Sequence, residues 1–148
     1  MKLCLWIVVI LCFLAATVQD IRTKSVVNLL WVISGIAGLL LNLPNLRTGV
    51  AGHVGEVIFF CGVQLLLFSK YYGKADVYAF CVCAIVLHSL GDGLKEYLLL
   101  SLLATGYLAL AQLSRRNVRR DGNLKAPVAF LPYITLALLT SLCYHIMC

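Results

Sequence analysis

Two aspartates stand at the edges of long apolar stretches, where a carboxylate is costly to place. Asp20 follows the apolar run 3–19, and Asp76 precedes the apolar run 77–90. Acidic side chains at membrane depth are candidates for a function, because a membrane tolerates few charges without one. Two neighbouring carboxyl groups can share a proton, so that one activates water while the other protonates a carbonyl oxygen. If the two side chains meet, such a pair could catalyse hydrolysis without a metal or another cofactor.

Each aspartate also has an ordinary structural explanation. Asp76 is suited to capping the start of a helix, where it would accept backbone N–H groups. Asp20 is suited to pairing with Arg22 or Lys24 at the membrane surface. Taken singly, the structural and catalytic explanations carry similar weight, so the case for chemistry requires that the two side chains meet. Three other acidic residues are predicted to lie on the opposite side of the membrane as solvated loop charges: Glu56, Asp92 and Glu96.

The composition indicates that lipid is the solvent of this chain. Of its 148 residues, 62% are hydrophobic and 12% are charged, and a soluble protein of this size could not bury so much apolar surface. Continuous apolar runs approaching the ~20 residues that cross a bilayer favour helices over strands. The runs are Leu3–Gln19, Val26–Leu43, Val54–Ser69, Val77–Leu90, Tyr97–Leu113 and Ala129–Met147. They predict a single all-α domain over residues 1–148, a polytopic membrane protein built as a bundle of about six transmembrane helices.

The basic residues predict the orientation of this bundle. Nine of the twelve Lys and Arg residues follow the first, third and fifth runs, which makes these three loops cytoplasmic and leaves both termini outside. Asp20 and Asp76 then lie on the cytoplasmic side of the plasma membrane, or of the inner membrane of a bacterium. The cluster Arg115–Arg120 is interpreted as an anchor on anionic headgroups, and its position between apolar runs argues against a nucleic-acid-binding surface.

A cleaved signal peptide is a competing interpretation of the N-terminus. Lys2, the apolar run and the small residues near Ala16 resemble one, and its removal would leave Asp20 almost N-terminal. Arg22 and Lys24 argue against it, because positive charges directly after the run oppose export of that end.

The cysteines and histidines give no sign of a metal site. None of the seven cysteines forms a C-x-x-C pair, and the three histidines are far apart in the sequence. Zinc ligands usually occur at short, repeated spacings. We therefore interpret the cysteines as small apolar side chains.

Two short motifs resemble a known family. The stretch D-I-R-T-K-S-V-V-N begins at Asp20, and the stretch G-K-A-D ends at Asp76. They resemble the signatures of the prepilin peptidase family of membrane aspartyl peptidases, Asp-x-Arg-x-x-x-Ile-Pro-Asn and Gly-x-Gly-Asp. Arg22 and Asn28 match the first signature beside the aspartate, and Gly73 matches the second. Helix number and loop order agree over essentially the whole chain.

The resemblance implies an endopeptidase that removes the leader of prepilin-like precursors, such as type IV or tight-adherence pilins. It implies Asp20 and Asp76 as the catalytic pair and Arg22, Asn28, Gly73, Lys74 and Ala75 as the supporting motif residues. A cysteine-rich zinc domain has no counterpart here, so the chain resembles the short form without methyltransferase activity. We expect Arg22 to orient Asp20 or to contact lipid, Asn28 to hydrogen-bond within the bundle, and Lys74 to face headgroups.

Two departures from the signatures keep other functions open. Val27 stands where the family has proline, and Ala75 stands where it has the second glycine. A catalytically degenerate relative that serves as a pilin-assembly subunit is one alternative, and a small proton-coupled transporter subunit is another. The precursor, the cleavage preference, the assignment of base and acid, and the oligomeric state are not indicated by the sequence.

Overall fold

The computed structural model describes residues 2–44, 50–68, 73–90, 93–118 and 129–147. Within these ranges the chain forms six helices and no strand, which confirms the all-α prediction there. The helices are α1 (Lys2–Thr23), α2 (Asn28–Asn42), α3 (Val50–Val63), α4 (Lys74–Leu87), α5 (Gly93–Val118) and α6 (Leu131–Met147). A π-helical turn, Gln64–Phe68, prolongs α3, and a 3-10 turn, His88–Leu90, prolongs α4.

Several helix boundaries differ from the ends of the apolar runs, in part because polar residues also form helix. α4 begins at Lys74, three residues before the predicted run, so that Asp76 lies inside the helix. α5 continues past Leu113 to Val118 through residues that include good helix formers such as arginine. α6 begins at Leu131, where the preceding Phe130 carbonyl accepts the N–H groups of two residues of the first turn.

Four of the helices pack in a closed ring, in the order α1, α2, α4, α6 and back to α1. α5 packs against α4 and α6, and α3 packs against α4. The ring encloses the core, whose largest fully buried side chains include Phe13, Leu41, Leu87, Leu131 and Leu138. α1 and α4 are therefore held in place mainly through α2 and α6, which flank them both.

α2 and α4 approach each other closely at Gly38. A Cβ atom on Gly38 would lie 2.9 Å from Val86 Cγ2 and 3.1 Å from Ile85 Cγ2. The Asn42 amide nitrogen donates to the Gly38 carbonyl at 2.8 Å and to the Ile85 carbonyl at 2.6 Å, which links the two helices at the same level. A Cβ on Gly35, by contrast, would meet nothing within 4 Å. Gly38 therefore permits close packing of α2 against α4, whereas Gly35 faces open space.

Two helical segments of the described chain, Lys2–Thr23 and Lys95–Leu113, are long and apolar enough to cross a membrane. Three further apolar helices, Asn28–Asn42, Val54–Leu66 and Leu131–His145, are shorter. Large apolar side chains are exposed on the outside of the bundle, among them Leu3, Leu66 and Leu102, each more than 70% exposed. These features support association with a membrane.

Candidate active site

Asp20 completes the inward-facing stripe of α1. The stripe consists of Val9, Phe13 and Ala16, which are all fully buried, followed by Asp20 in the last turn. The spacings of four, three and four residues keep these side chains on one face of a helix. The Asp20 carboxyl is thus half-buried at the end of the stripe and faces the inside of the ring.

Asp76 begins the corresponding stripe of α4. It is followed at the same helical spacings by Phe80, Cys83 and Leu87, which are all buried. The last turn of α1 and the first turn of α4 lie at the same end of the ring, close enough for the charge of Asp20 to act on Asp76. The structure therefore brings together the two aspartates that the sequence singled out, both half-buried.

The two carboxyl groups differ in their affinity for protons. Both lie outside the apolar runs 3–19 and 77–90. Burial, together with the nearby negative charge of Asp20, raises the pKa of Asp76 to about 6, although the Gly73 backbone N–H opposes this rise. Burial also raises the pKa of Asp20, and the positive charge of Lys24 works against that increase. Asp76 thus keeps its proton to a higher pH than a solvated aspartate does.

Gly73 shapes the start of α4 around the Asp76 carboxylate. It is the capping residue, with extended backbone angles (φ −63°, ψ 151°), and its carbonyl accepts the N–H groups of Asp76 at 3.0 Å and Val77 at 3.2 Å. Gly73, and not Asp76, is therefore the N-cap residue, since Asp76 is the third residue of the helix. The Asp76 carboxyl group nevertheless accepts the Gly73 N–H, as the capping explanation expected. A Cβ on Gly73 would lie 3.3 Å from Asp76 Oδ2, so the missing side chain leaves room for the carboxylate.

Ala75 occupies the second position of α4 and is half-buried against the core. Lys24 alone among the described non-glycine residues has a positive φ, so Ala75 does not use the backbone angles that favour glycine. Its replacement of the second glycine of the family signature is accommodated within a regular helix.

The turn after Asp20 directs the chain from α1 into α2. Lys24 has a left-handed backbone (φ 55°), and its N–H donates to the Asp20 carbonyl at 3.1 Å, which ends α1. Val27 has φ −69° and ψ 123°, and its N–H donates to Gln19 Oε1 at 3.1 Å. These angles suit proline, but proline could not donate this hydrogen bond. Valine at this position therefore has backbone angles that proline could also adopt, and its N–H adds a link to α1.

The remaining motif residues lie at the surface around the pair. Arg22 and Lys74 are exposed. Asn28 is the first residue of α2 and is also exposed, and its side chain makes no hydrogen bond to any described residue. The expectation that Asn28 hydrogen-bonds within the bundle is not met in this part of the chain.

The start of α6 also borders the site, which the sequence did not predict. Thr17, one turn before Asp20, lies 2.8 Å from Thr135 of α6 through their hydroxyl oxygens. Phe80, one turn after Asp76, packs against Phe130 with ring centroids 5.8 Å apart. The hydroxyl side chains within the apolar runs were a possible signal for such contacts. Serine and threonine are common in such runs, however, and do not indicate which helix they contact.

The far end of the bundle holds a second group of polar contacts. The Glu96 side chain is 15% exposed, accepts the Ser141 hydroxyl at 2.9 Å and lies 4.0 Å from His145 Nδ1. Its prediction as a solvated loop charge is wrong, because Glu96 lies in α5 and faces α6. Glu56 is half exposed as expected, but it lies in α3 and not in a loop, 3.8 Å from His88 Nδ1. Asp92 and the basic side chains from Arg115 to Lys125 fall outside the described residues and side chains.

The described cysteines form no disulfide bond with one another. Cys12 and Cys83 are buried as predicted, whereas Cys4 and Cys143 are exposed. No three His, Cys, Asp or Glu side chains in the described ranges are arranged to hold a metal ion. The carboxyl groups of Asp20 and Asp76 can exchange protons with a water molecule. Comparisons of the chain with models of known protein families, with curated proteins and with solved structures find no match.

Proposed function

We propose that this protein is a membrane aspartic endopeptidase, with Asp20 and Asp76 as its catalytic pair. The observation that carries the proposal is that the two aspartates end the inward-facing stripes of α1 and α4 at one end of the ring, where burial and the negative charge of Asp20 together raise the pKa of Asp76 to about 6. A carboxyl pKa raised by burial and by a second carboxylate is typical of catalytic carboxyl pairs and unusual for solvated charges.

The proposal includes a multi-pass topology with six membrane-spanning segments. The apolar side chains exposed around the bundle would face lipid, and the loop charges after α1, α3 and α5 would hold these loops in the cytoplasm. Asp20 and Asp76 would then lie near the headgroups of the inner leaflet, where water is available. Arg22 and Lys74, both exposed, are suited to contacts with anionic lipid.

The reaction follows from the sharing of one proton. The ionised carboxyl group removes a proton from a water molecule, and that water attacks the scissile carbonyl carbon while the protonated carboxyl group donates to its oxygen. Collapse of the tetrahedral intermediate returns a proton to the departing amine. The proton belongs to the pair during the cycle, so either aspartate can start as the base.

The resemblance in the two motifs supports a prepilin-like precursor as the substrate. Such a precursor carries a short basic leader followed by an apolar helix, and the cut falls between them. The leader would approach the carboxyl pair from the cytoplasm, while the apolar helix remains in lipid beside the bundle. Backbone at the cut must be extended for a water molecule to reach it.

The test is leader cleavage of a co-expressed pilin-type precursor, followed by gel mobility and mass of the product. Asp20→Asn and Asp76→Asn each remove one member of the pair, and we expect each to lower cleavage by at least about a hundredfold, the usual scale for acid–base catalysis. Glu56→Gln makes the same kind of change at the far end and should retain cleavage.

Normal cleavage by either asparagine variant would overturn the proposal. Wild-type protein that binds the precursor without cutting it would instead identify a pilin-assembly subunit. Proton uptake by wild-type vesicles that is lost in both asparagine variants, without cleavage, would identify a transporter subunit.

A further inference from the structure

The first turns of α6 contact both helices that carry an aspartate. Thr135 meets Thr17 of α1, and Phe130, directly before α6, meets Phe80 of α4. Thr17 lies one turn before Asp20, and Phe80 lies one turn after Asp76. Both contacts are therefore within about 6 Å, one helical turn, of a catalytic carboxyl group along the helix axis.

The direction of the hydroxyl contact can be assigned. Thr135 is buried, and its hydroxyl donates to the Leu131 carbonyl at 3.0 Å. A threonine hydroxyl has a single proton, so Thr17 must donate to Thr135 Oγ1 at 2.8 Å. The chain Thr17–Thr135–Leu131 thus ties α1 to the first turn of α6 with one preferred orientation.

α2, the other flanking helix, has a close contact with α4 that is far from the site. Gly38 of α2 packs against Val86, and Val86 is about 15 Å along the helix from Asp76 at 1.5 Å per residue. α6 contacts α1 and α4 within one helical turn of the carboxyl pair. α6 therefore helps to set the separation of the two aspartates.

We propose that Thr135 and Phe130 are positioning residues that set the distance between Asp20 and Asp76. The role of this distance in cleavage rests on the proposed function. A shift of about 1 Å in a catalytic group can cost about a hundredfold in rate. Neither residue touches the reacting atoms in this scheme, since each acts through the helix that it holds.

The charged groups around the pair allow this distance to be measured through proton affinity. α1 contributes Asp20 and Arg22, the turn after it contributes Lys24, and α4 contributes Lys74 and Asp76. α2 carries no charged residue, and Tyr133 is the titratable residue in the first turn of α6. Because Asp20 is the neighbour that raises the pKa of Asp76, a wider gap should lower that pKa.

The experiment compares Thr135→Val, which removes the hydroxyl at constant shape, with Thr135→Ser, which keeps it. Carboxyl titration of the purified protein by carbon NMR gives the pKa of Asp76 without any substrate. We expect Thr135→Val to move it down toward its value in Asp20→Asn, and to slow leader cleavage by at least about tenfold, within the range for misplaced groups. Thr135→Ser should restore both. Thr105→Val, whose hydroxyl bonds only within α5, is the matched control.

An unchanged Asp76 titration in a Thr135→Val protein that has only lost thermal stability would overturn the inference. If Thr135→Val does not fold, Thr17→Val breaks the same hydrogen bond from α1 and must give the same shift. A shifted titration in a protein whose wild type cuts no precursor would support the positioning role and reject the peptidase. The two proposals therefore fail by different measurements.

Discussion

At the scale of single residues, the two aspartates are of the same type, but their surroundings in the folded protein differ. Their position at the edges of apolar runs, together with the two motifs around them, predicted them as a pair. The larger influence of burial and repulsion on Asp76 was not predictable, since it depends on Gly73, on the Asp20 charge and on the packing of α4. The pair of aspartates is therefore identifiable from the sequence, whereas the difference in proton affinity between the two requires the structure.

Asp76→Asn should change how stability depends on pH. Because the folded state raises the pKa of Asp76 from its ordinary value to about 6, it binds this proton more tightly than the unfolded state does. The resulting stabilisation is fully present below the ordinary pKa of aspartate and is lost as the pH rises through about 6, a loss of up to about 3 kcal/mol. Asp76→Asn should avoid this loss and unfold at a higher temperature than wild type above pH ~7.

Thermal unfolding in detergent across the pH range measures this effect. Asp20→Asn should reduce the loss without abolishing it, because burial is the larger cause of the raised pKa. Equal pH dependence in wild type and Asp76→Asn would contradict the assignment.

Gly73→Ala should impair the site more than the fold. The backbone angles of Gly73 are open to alanine, but the new Cβ would press on Asp76 Oδ2 at 3.3 Å. We expect leader cleavage to fall by about tenfold or more, as for a displaced catalytic group, with little change in unfolding temperature. Gly106→Ala, whose Cβ would meet nothing within 4 Å, should leave cleavage unchanged.

At the scale of helices, the apolar pattern of the sequence predicted the order of all six helices. It did not predict which helices pack against each other. The tie between Thr17 and Thr135 joins residues from the first and last helices, and nothing local in either helix specifies the other. The π-helical turn at Gln64–Phe68 was likewise not predictable, since its sequence, Q-L-L-L-F, suits an ordinary α-helix. Contacts between distant elements arise from packing, which a single sequence does not display.

Substitutions of the two glycines of α2 should have opposite effects. Gly38→Ala places a Cβ 2.9 Å from Val86 and should lower the free energy of unfolding by about 1–3 kcal/mol, as overpacking does. Gly35→Ala meets open space and should raise it by about 0.5–1 kcal/mol through the higher helix propensity of alanine. Urea or thermal unfolding of both variants in one detergent measures the difference. A loss of stability in Gly35→Ala equal to that in Gly38→Ala would contradict the packing described here.

At the scale of the whole molecule, a ring of four helices with two outer helices gives a small protein one buried core and a large apolar exterior. Composition predicted this exterior, because 62% of the residues are hydrophobic. The ring order was not predictable, since loop length allows several neighbours for each helix. The aspartate end and the far end are distinguished by their charges, which makes the proposed orientation testable.

Single cysteines in a variant without the native ones should reveal this orientation. Ser25 lies after α1 and Pro44 lies after α2, and both are exposed. A membrane-impermeant maleimide should label a cysteine at 44 in intact cells and a cysteine at 25 only after permeabilisation, because the basic residues hold the first loop in the cytoplasm. The opposite pattern would place the aspartates on the outer face and contradict the proposed topology.

The start of α4 also has a consequence for tracing the ancestry of this chain. Position 73 abuts a carboxylate oxygen, whereas position 75 sits within a regular helical turn. We expect homologues to drift freely among small helix-forming residues at 75 while retaining glycine at 73. A search pattern that demands glycine at both positions would overlook such homologues, and one anchored on glycine three residues before the aspartate would recover them.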